Sequence, residues 1–442
     1  MTNEAIRFDQ VIPRLEKMLG EMADLLAVFQ PLWLVRDLMG RVRVAVREQP
    51  EEANEGASSL REFANRLKQE LGSRAYPPER AVLVAGDMAS AAVDAGEARR
   101  LSVPGLDAFL IDRQVTGQSW STVESEEGNG GASRITLYSI KGGVGRTTTA
   151  AVLATHLARQ GKRVLLLDLD LEAPGLSTAL LSTDEQPELG IVDWFVEDAV
   201  GQGDGVIALM TARSAVARDL RGEILVAPAH GKDAGEYLAK LGRIYLDLPP
   251  AEDRKAPERW IDRLPRLLQA LEKEHSPDVV LLDSRSGLHD LAAALVTDVK
   301  AFVLLFAAGS QQTFSAYSLL FRHWLEHGAA EHIRERIKMV ATMVPEIEPT
   351  EHLDRFREAS WDLFRDHLYD QVAADEVADA FSFDVGDSAG PHDPLPIYWH
   401  RGLASLGSLR AIEEPTIKAA YNLFLPGIDS LLSMSEEGRH GG

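Results

Sequence analysis

No cysteine occurs in this chain of 442 residues. That removes disulfides, thiol nucleophiles, Cys-ligated zinc and iron–sulfur clusters together. It also fits a reducing compartment. No apolar run approaches the roughly 20 residues that span a bilayer. The longest, Ala301 to Gly309, reads as a buried strand and its exit. The first ten residues, MTNEAIRFDQ, lack a basic stretch followed by an apolar one, so no signal peptide and a cytoplasmic location are expected. Basic residues are in deficit: Lys and Arg total 46 against 68 Asp and Glu, a formal charge of −22. Such a surface disfavours non-specific binding to DNA or anionic lipid. The 12 histidines are scattered without HExxH or paired ligand spacing, so no zinc site is expected.

What is present is an ordinary globular composition, 45% apolar and 26% charged. At about 150 residues per domain, the length suggests two or three domains. Residues 1–120 read as a small, mainly helical accessory domain. Ile12, Leu15, Leu19, Met22, Leu25 and Leu26 recur at helical spacing. Pro31 ends that helix, a second is expected over Leu32–Arg47, and a third over Leu60–Leu71, closed by Gly72. Two short strands are expected at Ala81–Ala85 and Ala108–Ile111. Ser121 to Ser133, STVESEEGNGGAS, is acidic and rich in Gly and Ser, and reads as a linker.

From residue 134 to 442 the texture changes. Short apolar runs alternate with helical segments: Ile135–Ile140, Val164–Leu167, Ile224–Ala227, Val279–Leu282, Phe302–Phe306, Met339–Thr342 and Leu395–Trp399. Near-continuous apolar strands separated by helices imply a doubly wound, mostly parallel α/β sheet covered on both faces.

The strongest signal is Ile135–Thr149, ITLYSIKGGVGRTTT, an apolar strand running through a glycine-rich loop into a helix near Thr147. Gly142, Gly143 and Gly145 let the backbone curl so that successive N–H groups, including that of Val144, approach phosphate oxygens. The following helix N-terminus adds partial positive charge there. Thr147 sits where a hydroxyl would ligand Mg²⁺, and Thr148 lies one position further into the anion-binding turn. A phosphate loop also needs acidic partners. Val164–Asp170 ends a strand in Asp168 and Asp170, two residues apart and on one side. Asp278–Asp283 is a buried strand ending in aspartate, the Walker B pattern, with Asp283 expected to hold Mg²⁺ through water.

The order Lys-Gly-Gly-x-Gly-Arg-Thr-Thr resembles the deviant Walker A loop of the ParA/MinD (CobQ/CobB/MinD/ParA) P-loop ATPases. The resemblance covers about 134–425, through motifs occupying under about forty residues, and implies a P-loop NTPase domain binding ATP and Mg²⁺. It implies that Lys141 reaches across a nucleotide-sandwiched dimer to the partner's phosphates. DLDLEAPG resembles the switch I segment, so Asp170 matches the residue that orients the attacking water and Asp168 the one that supports the metal site. Gly287, in Asp283-Ser284-Arg285-Ser286-Gly287, matches the switch II glycine whose N–H senses the γ-phosphate. Two departures stand out. Arg146 replaces the usual lysine; arginine can grip phosphate bidentately but its bulk is expected to slow hydrolysis. Ser-Arg-Ser-Gly replaces Thr-Pro-Pro-Gly, leaving Arg285 to contact phosphate, a partner subunit or Asp290. KGGVGR, DLDLEAPG and DSRSG together also resemble bacterial ParA-like ATPases of multidomain signalling or conflict proteins. In the family, late-strand loops flank the purine, here near Met343–Pro345 and Trp399–Arg401. Trp399 is read as a core residue ahead of a stacking one.

The expected activity is slow ATP hydrolysis controlling a homodimer, with residues 1–120 recognising an unknown protein partner. The alternatives are a nucleotide-binding scaffold that does not turn over, or a DNA-associated partition ATPase. The tail, SMSEEGRHGG, lacks the basic amphipathic face of a membrane tether. Arg322, Arg334, Arg336 and Lys338 are the candidate DNA contacts, weighed against an ordinary solvated helix face.

Overall fold

In the computed structural model the described residues are 6–47, 55–84, 98–114, 116–117, 120–121, 132–250, 257–371, 380–403 and 413–440. The linker expected at Ser121–Ser133 falls almost wholly outside them. The chain divides into two compact units, residues 1–122 and 123–442.

The first unit carries a five-stranded sheet in the order β3-β2-β1-β5-β4. Its strands are β1 (Leu32–Arg36), β2 (Val42–Val46), β3 (Val82–Val84), β4 (Ala98–Arg100) and β5 (Ala108–Asp112). The helix expected over Leu32–Arg47 is therefore a hairpin: β1 and β2 pair antiparallel, with Leu34 opposite Val44. Val42, Val44 and Val46 are β-branched at period two, which suits a pleated surface. Gly40 takes a left-handed φ of 76° in the turn. The Asp37 carboxylate accepts from the Met39 and Arg41 amides, both at 2.9 Å, which closes that turn. Helices Val11–Glu21 and Glu55–Leu71 cover one face, burying Leu15, Leu19, Phe63 and Leu67 against Leu34 and Val44.

The second unit is built on an eight-stranded sheet, β13-β12-β11-β6-β10-β7-β9-β8. Here β6 is Ser133–Tyr138, β7 Arg163–Leu169, β8 Ala212–Arg213, β9 Glu223–Ala227, β10 Val279–Ser284, β11 Phe302–Ala307, β12 Ile337–Val344 and β13 Leu395–Tyr398. Every pairing is parallel except β8 with β9. Alternation sends Val164, Leu166, Val279 and Leu281 into one core, with Leu153, Tyr421 and Phe424. Leu165, Leu167, Val280 and Leu282 enter the other, with Trp194, Leu264 and Leu268. Both faces are covered, as a doubly wound P-loop NTPase sheet requires. All seven strands expected in this part of the chain are present; only the two-residue β8 was unanticipated. No helix among the described residues is long and apolar enough to cross a membrane.

Leu166 is fully buried in the first of these cores. Leu166→Ala should lower the unfolding free energy of this unit by about 2–5 kcal/mol in a denaturant titration. A loss under about 1 kcal/mol would contradict the packing described.

Candidate nucleotide site

The strand β6 ends at Tyr138, and the loop 139–145 leads directly into the helix Arg146–Arg159. Gly143 (φ 75°) and Gly145 (φ 82°) adopt the left-handed conformation that side chains resist. Gly145 is the residue that caps the helix. The helix's first N–H groups have no intrahelical partner, which leaves them available to an anion. Val144 is buried in the core beneath, while Gly142 and Gly143 are exposed. Lys141 is half-buried, and its carbonyl accepts from Ser139 Oγ at 2.7 Å. Thr148 is likewise half-buried. The loop is tied to the C-terminal helices through Thr149, whose hydroxyl donates to Gly145 O (2.8 Å) and meets the Tyr421 hydroxyl at 3.2 Å.

The two strand-end carboxylates converge beside this loop. Asp168 and Asp283 are register partners on β7 and β10. They are 0% and 1% exposed. The Thr147 hydroxyl donates to Asp283 Oδ2 at 2.6 Å. Asp168 Oδ1 accepts from the Asp170 amide (3.3 Å), and Oδ2 from Gly175 (3.1 Å) and Leu176 (3.0 Å). Both Asp168 oxygens thus shape the 170–176 loop. Asp283 keeps Oδ1 buried and without a protein partner. Burial, reinforced by the neighbouring Asp283 charge, pushes Asp168 up to about 8. Burial raises Asp283 to about 6 against the Thr147 hydrogen bond and the Arg146 charge.

Arg146 is also buried, and its guanidinium lies 3.7 Å from Asp170 Oδ2. The two are an ion pair but not a hydrogen-bonded one at that distance. Arg146 Nη1 and Asp170 Oδ1 are both buried without partners. Burial raises the Asp170 pKa, opposed by the Arg146 and Arg285 charges. Three orphaned polar atoms, two acidic and one cationic, therefore surround the loop. That donor set fits a magnesium-bound phosphate: hard oxygens for the metal and a guanidinium for the anion.

Other expectations resolve differently. Arg285 pairs with Glu172 (2.8 Å) rather than with Asp290. The Gly287 amide donates to Ser139 O at 3.0 Å, and the Tyr138 hydroxyl donates to Gly287 O at 3.1 Å. The Gly287 N–H is thus engaged by the first residue of the glycine-rich loop. Trp399 is 43% exposed, so it is not the core residue expected. It follows β13 directly, where the chain leaves the sheet, and its amide donates to Val344 O (2.8 Å). Of the basic group, Arg322 is exposed on the helix Gln311–Glu326, as a solvated face would have it, but the other three are used internally. Arg334 binds Leu368 O and Asp370, and Arg336 donates to Ala301 O (3.0 Å). Lys338 lies on β12, 8% exposed, and donates to Gly390 O (2.8 Å). Glu172 was visible inside DLDLEAPG but carried no assignment. Tyr245, which donates to it at 2.8 Å, had no signal because 73 residues separate them.

The raised carboxylates predict a pH dependence. The folded chain retains a proton on Asp168 that the unfolded chain, at an ordinary 3.8, releases. The resulting stabilisation is complete below the unfolded value and is lost as pH rises through the folded one. Melting temperature without nucleotide should therefore decline through about 6 as Asp283 ionises and through about 8 as Asp168 does. Asp168→Asn should flatten the upper part of that profile in a thermal scan across pH. An unchanged slope would show that Asp168 already ionises freely.

Comparison with known proteins gives the family of this second unit. The family model for the CobQ/CobB/MinD/ParA nucleotide binding domain matches residues 135–374. The chain is 70% identical over 37 residues to the chromosome-partitioning ATPase Soj of Thermus thermophilus, which is 8% of this chain and 15% of that one. It is 34% identical over 158 residues to an uncharacterized protein of Streptomyces coelicolor, covering 30% of this chain and 40% of the relative. The chain thus spans well under half the length of these curated relatives. Among solved structures, pNOB8 ParA aligns at a TM-score of 0.41 and 17% identity, over 70% of this chain and 99% of that one. Cobyrinic acid a,c-diamide synthase from Mycobacterium smegmatis, solved with an ATP analog and magnesium, aligns at 0.34 and 20% identity, over 50% and 80%. With more than half of its residues matched by the family model, the chain belongs to the CobQ/CobB/MinD/ParA nucleotide-binding family.

Proposed function

We propose that this protein is a magnesium-dependent ATPase of ParA/MinD type whose ATP-bound form dimerises and whose turnover is slow. The observation that carries the reading is the Thr147–Asp283 hydrogen bond beside the orphaned Asp283 Oδ1. A P-loop hydroxyl and a strand-end carboxylate in contact are what an octahedral magnesium site needs from the protein, phosphate and water completing it. Magnesium, when bound, would neutralise charge on the β- and γ-phosphates.

In this reading Thr147 and Asp283 hold the metal, Asp283 through water. Asp168 supports the site indirectly by fixing the 170–176 loop. The amides of Gly142, Gly143, Val144, Gly145, Arg146, Thr147 and Thr148 cradle the phosphates. Arg146 turns from Asp170 to phosphate, and Asp170 is released to orient the attacking water. Lys141 reaches the partner subunit's nucleotide. Gly287 must leave Ser139 O before its N–H can meet a γ-phosphate. The first unit, residues 1–120 in the proposed division, recognises the protein that reads the dimer, and the linker over 121–133 joins it to the ATPase domain, 134–442. The internal use of Arg334, Arg336 and Lys338 and the charge of −22 count against a DNA partner. ATP over GTP, and a cytoplasmic site of action, rest on the family.

The Arg146–Asp170 pair favours one competitor, a nucleotide-binding scaffold that does not turn over. Phosphate release separates the two. Asp170→Ala should lower turnover by roughly 10²-fold or more if Asp170 orients water; a variant equal to the parent would favour the scaffold. Arg146→Lys should raise turnover severalfold, because lysine presents a compact charge that does not span to Asp170. In analytical ultracentrifugation, ATP with Mg²⁺ should tighten the dimer at least about tenfold. A dimer constant indifferent to nucleotide would remove the dimerisation reading.

A further inference from the structure

Beyond the phosphate loop, one carboxylate ties three separate stretches of chain together. Glu172 Oε1 accepts from the Tyr245 hydroxyl at 2.8 Å and forms an ion pair with Arg285, 2.8 Å from Nη1. His289 Nε2 lies 3.5 Å from the same oxygen. His289 Nδ1 accepts from the Leu291 amide at 3.3 Å, so the proton of a neutral ring sits on Nε2 and faces Glu172. The other carboxylate oxygen, Oε2, is buried and has no protein partner. A second tyrosine does similar work one residue earlier, where the Tyr237 hydroxyl donates to Leu171 O at 2.5 Å.

These contacts join three parts of the chain. Leu171 and Glu172 follow Asp170 on the loop after β7. Arg285 and His289 flank Gly287 on the loop after β10. Tyr237 and Tyr245 belong to a segment, 237–248, without a phosphate-binding residue. That segment is fixed from below: Ile244 and Leu248 are 1% and 2% exposed. Lys240 Nζ pairs with Asp193 at 2.7 Å. Tyr245 packs edge-on against Trp260 (5.0 Å between centroids) and His289 (5.5 Å). That end is anchored by burial and pairing, and both hydroxyls bond the loop after β7.

We propose that Glu172, Arg285 and Tyr245 form a clamp that positions the two nucleotide-sensing loops relative to each other. The clamp rests on the ATPase reading for its catalytic consequence but not for its existence. Glu172 is two residues from Asp170, and Arg285 two from Gly287. Holding Glu172 therefore sets the approach of Asp170, and holding Arg285 limits the travel of Gly287. Tyr245 is a positioning residue; it touches neither loop's phosphate-facing groups. One carboxylate oxygen shared by a hydrogen bond and an ion pair makes the three side chains energetically coupled rather than additive.

The test uses the full chain and two readouts. Amide hydrogen exchange, followed by mass spectrometry without nucleotide, compares the parent with Tyr245→Phe and Glu172→Ala. Removing one hydroxyl should raise exchange together in 170–176, 237–248 and 285–289 while the strands 163–169 and 279–284 stay protected. Exchange that rises only around residue 245, or everywhere at once, overturns the clamp. With ATP and Mg²⁺, Tyr245→Phe should lower kcat about tenfold and leave KM within about twofold, since misplacement acts on the reacting geometry more than on binding. The Glu172→Ala/Tyr245→Phe double variant should be no slower than Glu172→Ala alone; additive losses overturn the coupling. If the parent neither binds nor hydrolyses ATP, the ATPase reading falls, and the exchange pattern alone still decides the clamp.

Discussion

Two carboxylates lie side by side in the dry interior at the tips of adjacent parallel strands, and most of the site follows from that. Asp168 and Asp283 face each other across β7 and β10 with almost no solvent contact. Like charges so placed cannot both ionise cheaply, and burial adds to the cost. Their position is not independent of the fold. The register that pairs them also sends Leu166 and Leu281 to one core and Leu167 and Leu282 to the other. A slip of one residue would move every one of these side chains to the wrong face. Core packing therefore enforces a local electrostatic conflict, and a cation at the Thr147 hydroxyl is the natural means of relieving it. Such a violation of the burial rule, kept where a loop of glycines meets a helix N-terminus, is the kind expected at a functional site.

Arg146 carries the second constraint. Its guanidinium is buried, always charged and only partly matched by Asp170. A lysine could shed its proton in such surroundings; an arginine cannot. Without an anion the protein must therefore satisfy the charge from within, and the nearest carboxylate is the one proposed to handle water. Binding and catalysis then compete for the same side chain. Under the proposed ATPase reading, that competition explains the slow turnover expected more directly than bulk does, because it leaves phosphate binding intact while withholding Asp170 until phosphate draws Arg146 away.

How much of this could be read from the residues depends on how local the signal was. The seven longer strands of the second unit were legible because buried parallel strands are runs of Leu, Ile and Val bounded by turns. The glycine-rich strand–loop–helix segment was legible because glycine spacing, a helix start and a strand-end aspartate are all short-range patterns. Residues 32–47 misled because Leu32, Val35, Met39 and Val42 fit a helical stripe as well as a pleat. Only the left-handed turn at Gly40, closed by Asp37, decides between them. Trp399 misled because tryptophan is usually buried, whereas here the chain is already leaving the last strand. Lys338 looked like surface charge, yet it lies on β12, one strand in from the sheet edge, with its ammonium capped by carbonyls. The Glu172–Arg285–Tyr245 contacts could not be read at all, since tertiary pairing of distant polar residues leaves no periodic trace.

The loop after β10 shows why these non-local contacts matter. Gly287 is held at both ends of its own peptide, its N–H by Ser139 O and its carbonyl by the Tyr138 hydroxyl. Arg285 is held separately by Glu172. An N–H already bonded to a carbonyl cannot also bond a phosphate, so the two arrangements of Gly287 exclude each other. Its φ of 93° lies where glycine moves without steric cost, so the exchange demands a broken hydrogen bond rather than a strained backbone. Elements with two exclusive bond sets switch between discrete states instead of drifting. The alternative partner must therefore supply a better acceptor than Ser139 O, and an anionic oxygen does so because charge-assisted hydrogen bonds are roughly twice as strong. In the proposed reading, nucleotide sensing at this loop is a competition between one backbone carbonyl and one phosphate oxygen for a single amide.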